Sequence, residues 1–154
     1  MKSLTAPLGE LAEFEEGQAL LRKEKACVAF TGCVDSQKLH MAYGLSDGFL
    51  YKVIVTFSDL RAREIYEEYA FYDKSTILYP AKDLIFYQAD IHGNQLVAER
   101  MKTLRRLIEG KPVTVVTTFA ALMSPQVSLE EIADAVIHVD ADSSLDEVKL
   151  ADSL

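Results

Sequence analysis

Ala26-Cys27-Val28-Ala29-Phe30-Thr31, continued by Gly32-Cys33-Val34-Asp35-Ser36-Gln37-Lys38-Leu39, decides how the rest of the chain is read. The first run is apolar, β-branched or aromatic and is closed by a glycine, the composition of a buried strand. The second run, Gly32–Leu39, has the spacing of a phosphate-binding loop, Gly-x-x-x-x-Gly-Lys-Ser/Thr, set between a strand and its helix. In a working loop the glycines let backbone N–H groups wrap the phosphates, the Lys meets the outer phosphates and the hydroxyl holds magnesium. Here Gly32 and Lys38 stand in register, but Gln37 replaces the second glycine and Leu39 replaces the hydroxyl. Asp35 also puts a negative charge where phosphate belongs. Gly32, Gln37, Lys38 and Leu39 therefore read as a degenerate phosphate loop. The expectation is a noncatalytic chain with no catalytic residue, no cofactor and no metal.

Outward from this loop, Asp35 or Ser36 is expected to cap a helix running to about Leu45, and Gly44, Asp47 and Gly48 turn the chain into a strand at Tyr51–Phe57. Ser58 caps the next helix, with a stripe at Leu60, Ala62, Ile65, Tyr66, Tyr69 and Ala70. A strand at Ser75–Tyr79 is stopped by Pro80. A helix from about Asn94 to Glu109 sets Leu96, Val97, Met101, Leu104, Leu107 and Ile108 against Lys102, Arg105, Arg106 and Glu109. The basic residues Lys102, Arg105 and Arg106 form a candidate domain-docking face. Pro112 leads into the last strand of the unit, Val113–Thr118, and Phe119–Met123 makes a short helical turn. Strands of continuous β-branched character alternating with helices predict an α/β fold, a parallel sheet covered on both faces in three layers. Before it, Leu4–Arg22 reads as a helical arm of two short helices interrupted at Gly17. After Ser124-Pro125, the capping boxes Ser128-x-x-Glu131 and Ser144-x-x-Glu147 bracket a strand at Ala135–Val139. The domain reading is an arm over 1–24, the α/β unit over 25–125 and the start of a further unit over 126–154, in a chain expected to be a piece of a longer protein.

Composition narrows the function. With 49% apolar and 26% charged residues over 154 positions, the chain is an ordinary globular sequence. Its net charge of -8 argues against a domain that coats nucleic acid by itself, which requires Lys and Arg for many phosphates. Between Glu130 and Asp152 there are eight Asp or Glu and one Lys. No apolar run suits a membrane span and the start is not a signal peptide, so a cytoplasmic location is expected. Cys27 and Cys33 are too few and too badly spaced for a metal site and read as buried or half-buried thiols. His40, His92 and His138 are far apart and read as lone residues. Val136-Ile137-His138-Val139-Asp140-Ala141-Asp142 resembles a strand ending in magnesium-binding acids, but without a working loop it has little to act on. The aromatics Tyr66, Tyr69, Phe71, Tyr72, Tyr79, Phe86 and Tyr87 lie among Glu64, Glu67, Glu68 and Asp73, so packing is expected rather than base stacking. A receiver-type signalling domain needs acids after its first strands, where Gly32, Ser58 and Pro80 stand instead.

Three segments resemble a known family in order and spacing. Tyr79-Pro80-Ala81-Lys82-Asp83-Leu84-Ile85-Phe86-Tyr87 is similar to an aromatic-Pro-x-x-acid block, Glu99-Arg100 opens a Glu-Arg-x-x-x-Leu-x-x-Leu helix, and Val115-Val116-Thr117-Thr118 matches a Val-Val-Thr-Thr strand. Together they resemble the amino-terminal UvrB-like module of bacterial transcription-repair coupling factors, the Mfd family, over roughly Ala26–Pro125. The resemblance implies a sheet of P-loop NTPase (RecA/UvrB domain 1) type with a nonfunctional loop. It implies a role in transcription-coupled nucleotide excision repair of DNA damage: UvrA recruitment and self-inhibition of an ATP-dependent DNA translocase. The parent's partners would be UvrA, RNA polymerase and DNA. This chain would meet intramolecular domains, or UvrA weakly, and no membrane. The alternative, since UvrB shares the layout with an intact loop, is the nucleotide-binding domain of an active UvrB/helicase-type ATPase in which Lys38 still holds phosphate.

Overall fold

The structure is a computed structural model that describes residues 2–23, 25–81, 90–126 and 128–134. The expected strand at Ala135–Val139, the capping box at Ser144, Phe86, Tyr87 and His138 lie outside the described residues, and so does the side chain of His92.

The described chain is α/β, with one small, wholly parallel sheet. The helices α1 (Lys2–Thr5), α2 (Ala12–Leu21) and α3 (Asp35–Leu45) precede β1 (Tyr51–Thr56) and α4 (Asp59–Tyr72). Next come β2 (Thr76–Tyr79), α5 (Asp90–Ile108) and β3 (Val113–Thr118), then α6 (Phe119–Met123) and α7 (Leu129–Asp134). The sheet order is β1-β3-β2, with Tyr51 opposite Val113 and Thr76 opposite Thr114. The chain crosses from β1 to the far edge by way of α4, then returns to the centre by way of α5. Because the two crossovers travel in opposite directions over opposite faces, they share one hand, as βαβ units require.

Residue parity in β3 divides the core. Val116 packs with Leu39, Ala62, Ile65 and Tyr69, so α3 and α4 cover one face. Val113 and Val115 pack with Ile77, Tyr79, Ala121 and Leu107, so α5 and α6 cover the other. Flanked on both sides and both faces, β3 is buried at every position, and its threonines are satisfied. Thr114 Oγ1 donates to Asp73 Oδ2 at 2.7 Å, Thr117 Oγ1 donates to Tyr79 O at 2.9 Å, and Thr118 Oγ1 accepts from Ala121 N at 3.2 Å.

Several expectations change. Ala26–Thr31 is not a strand: it runs without regular structure, alternately half-buried and exposed. A strand exists only with a ladder partner, and here the apolar side chains found another home. Phe30 packs against the cluster of Leu8, Phe14, Met41 and Leu45, which fixes the segment against the arm instead of the sheet. Gly17 does not interrupt the arm but sits within α2, where a Cβ would come within 2.6 Å of Phe30 Cζ. The break falls instead at the 3-10 turn Ala6–Glu10 that precedes α2. Cys27 is exposed and Cys33 half-buried, both as free thiols. In α4, Leu60 is exposed. In α5, Val97, Met101 and Ile108 are exposed while Arg100 and Thr103 are buried, so the buried side is more polar than its apolar stripe suggests. Ser58 caps α4 by accepting from Arg61 N, and the Ser128–Glu131 capping box forms in both directions. Among the described residues no helix is long and apolar enough to cross a membrane.

Candidate functional site

Gly32 stands at φ 79, in the left-handed region where a glycine is favoured, and a Cβ there would meet nothing within 4 Å. Its requirement is therefore the backbone turn, not close approach of another group. The turn delivers the chain to Val34, the residue before α3, which offers no side-chain cap. Neither Asp35 nor Ser36 is the cap. Asp35 instead lies in the first turn of α3, where its charge complements the positive end of the helix dipole. Lys38 Nζ donates to Asp35 Oδ1 at 3.0 Å, and an Arg61 guanidinium nitrogen lies 3.7 Å from the same oxygen. The Lys38 hydrogen bond, helped by the charges of Lys38 and Arg61, holds the Asp35 carboxyl below its ordinary pKa.

The Lys38–Asp35 pair lies at the surface, with 59% and 70% of the two side chains' area exposed. Gln37 is exposed. Leu39 is 6% exposed, locked between Ala62, Ile65, Tyr69 and Val116. A side chain at 39 that held a metal would have to leave that core. Among the described residues no group of His, Cys, Asp and Glu could hold a metal ion.

The structure brings together two polar centres that the sequence did not single out. Asp73, at the carboxyl end of α4, accepts from Lys52 Nζ at 3.1 Å and Thr114 Oγ1 at 2.7 Å through Oδ2. Its Oδ1 accepts from Ser75 N at 2.9 Å and Ser75 Oγ at 2.7 Å. Burial opposes its charge, but these donors prevail and hold its pKa at about 2. This centre ties the amino ends of all three strands together. It lies at the end of the sheet opposite to where α/β folds place ligands. The second centre is Arg100, 4% exposed, whose Nη1 donates to Pro80 O at 2.6 Å while its guanidinium lies 4.3 Å over the Tyr79 ring. Its Nη2 and Glu99 Oε2 are buried without a hydrogen-bond partner among the described residues. Asp73 with Ser75-Thr76 just beyond it, at a helix-to-strand junction, is the Asx-turn signal that would have found the first centre. Glu99-Arg100 belongs to the helix motif quoted for the resemblance, but nothing local in sequence marks Arg100 as buried against Pro80.

The basic residues of α5, Lys102, Arg105 and Arg106, lie three and four positions apart on one helix. Arg105 Nε donates to Glu109 Oε1 at 2.8 Å, Arg106 is half-buried, and Lys102 borders the outer edge of β2. His40 Nε2 is 2.6 Å from Leu4 O and its ring stacks on Tyr72. Tyr43, Tyr69 and Tyr72 form one aromatic cluster, so these rings pack on one another.

Comparison of the chain with protein-family models, curated proteins and solved structures gave no match.

Proposed function

We propose that this chain is a noncatalytic protein-interaction and regulatory module, of the kind its resemblance implies: the UvrB-like front of a transcription-repair coupling factor. In this reading its sheet is of P-loop NTPase type, and it serves UvrA recruitment and self-inhibition of a cytoplasmic DNA translocase. The observation that carries the reading is the Lys38–Asp35 pair beside a buried Leu39. A lysine paired within its own helix and an apolar side chain buried at 39 support a loop without phosphate chemistry, while the strand expected before that loop does not form. A net charge of -8 supports the further point that DNA is met by other parts of the parent. The UvrB/helicase-type ATPase would use Lys38 for phosphate and a hydroxyl at 39, and the Leu39 that stands there favours the noncatalytic reading over it.

Calorimetric titration with ATP and magnesium tests the absence of a nucleotide site. No saturable heat is expected, whereas micromolar binding abolished by Lys38→Ala would overturn the reading in favour of the ATPase. For recruitment, capture of UvrA by this chain is expected to be weaker than by one extended past residue 154. Equal capture would place the contact on the α/β unit itself.

A further inference from the structure

The two edges of the sheet are treated differently. Along the outer edge of β2 stand Arg63, Glu67, Glu99 and Lys102, charged side chains of the kind that keep edge strands from pairing. Among the described residues the outer edge of β1 has no such protection. Its strand, Tyr51-Lys52-Val53-Ile54-Val55-Thr56, has no proline, no glycine and one charge, and that charge is held by Asp73 of the same chain. Val113 N donates to Leu50 O at 3.1 Å, and Tyr51 lies opposite Val113 in parallel register. The even-numbered residues of β1 therefore bond to β3, and Tyr51, Val53 and Val55 turn their N–H and C=O groups outward. These residues are 46%, 59% and 38% exposed. Beside this edge a groove of about 280 Å³ runs between β1 and the apolar residues Leu21, Ala42, Leu45 and Phe49.

We propose that this edge is a self-association surface, on which a second copy of the chain adds its own β1 antiparallel about a two-fold axis at Val53. The parity fits that arrangement. With Val53 facing the second copy's Val53, the outward-turned residues meet only outward-turned residues: Tyr51 faces Val55 and Val55 faces Tyr51. Every such pair exchanges both of its N–H···O=C bonds, so all the free groups of the edge are satisfied at once. Neither copy brings a free charge to the contact, so no like-charge pair opposes it despite the acidity of the whole chain. The result is a continuous sheet of twice the width, closed by one symmetry operation.

Sedimentation velocity of the full chain, from micromolar to submillimolar concentration, reads the association directly. The mass is expected to rise from 17.2 kDa towards twice that value. Val53→Pro removes an N–H that β3 does not use, so the fold survives while association weakens at least tenfold. In a background with Cys27→Ser and Cys33→Ser, Val53→Cys is expected to form a disulfide dimer. Partners in a hydrogen-bonded antiparallel pair have Cα atoms about 5.5 Å apart, within disulfide range. Phe57→Cys, on a residue 84% exposed but past the end of the strand, is expected to stay monomeric under the same oxidation. A chain that stays monomeric throughout, or one in which Phe57→Cys cross-links as fast as Val53→Cys, overturns the proposal. So does a monomer whose Tyr51, Val53 and Val55 amides are protected from exchange, which would assign the edge to another segment of the chain.

Discussion

Replacing Asp73 by Asn keeps the shape of the side chain and removes the charge on which Lys52, Ser75 and Thr114 converge. From an ordinary 3.8, the carboxyl is held at about 2, a difference worth at most ~2.4 kcal/mol at ~1.36 kcal/mol per pH unit. Lys52 and Asp73 keep 19% and 14% of their side-chain surface, so solvent screening reduces that to about 1–2 kcal/mol. The sign is set by linkage. A depressed carboxyl pKa stabilises the fold fully above the unfolded value of 3.8, and that stability is lost as pH falls towards 2. Urea denaturation at neutral pH is therefore expected to show Asp73→Asn less stable by about 1–2 kcal/mol, a fall in Tm of roughly 2–8 °C for a chain of this size. Repeated at descending pH, the gap should hold down to about pH 5 and narrow between about pH 4 and 2. Equal stability at neutral pH, or a gap that persists unchanged in acid, would refute the assignment of this network as the clamp on the three strands.

Leu39→Thr, which restores the hydroxyl of a working loop, should cost about 2–4 kcal/mol because it opens a cavity and buries an oxygen between α3 and α4. ATP titration of that variant should still give no saturable heat. Arg100→Lys keeps the charge but loses the flat guanidinium over Tyr79, and should destabilise the fold by about 1–2 kcal/mol, visible as a lower thermal midpoint with a changed tyrosine near-ultraviolet signal. Gly44→Ala should be net destabilising by about 1 kcal/mol even though Ala is the better helix former. A Cβ there meets Leu8 Cδ1 at 2.7 Å and the Phe14 ring at 2.9 Å, so limited proteolysis should release the arm earlier.

The alternation of β-branched runs with capped, periodic helices was enough to specify an α/β chain, because side-chain periodicity and capping act over a few residues and are written locally. Tyr51–Thr56, Thr76–Tyr79 and Val113–Thr118 fall where the sequence places strands, and Ser58 and Ser128 cap where their spacing says. The departures of Gly32–Leu39 from the phosphate-loop pattern, Gln37 and Leu39, are likewise a matter of residue types at fixed spacing. Tertiary structure decided the rest. Ala26–Thr31 has a strand's composition but no partner, and pairing is a long-range event that composition cannot record. Leu39 is apolar in sequence, but only packing decides that it is buried in the cluster of Ala62, Ile65, Tyr69 and Val116. Asp73 and Arg100 became centres because helix packing brought them against residues distant in the chain, Thr114 from the end of α4 in one case and Pro80 from the middle of α5 in the other. Which strand is central and which edge stays open was decided by the return of β3 between β1 and β2, a crossover set by the packing of α4 and α5 on opposite faces.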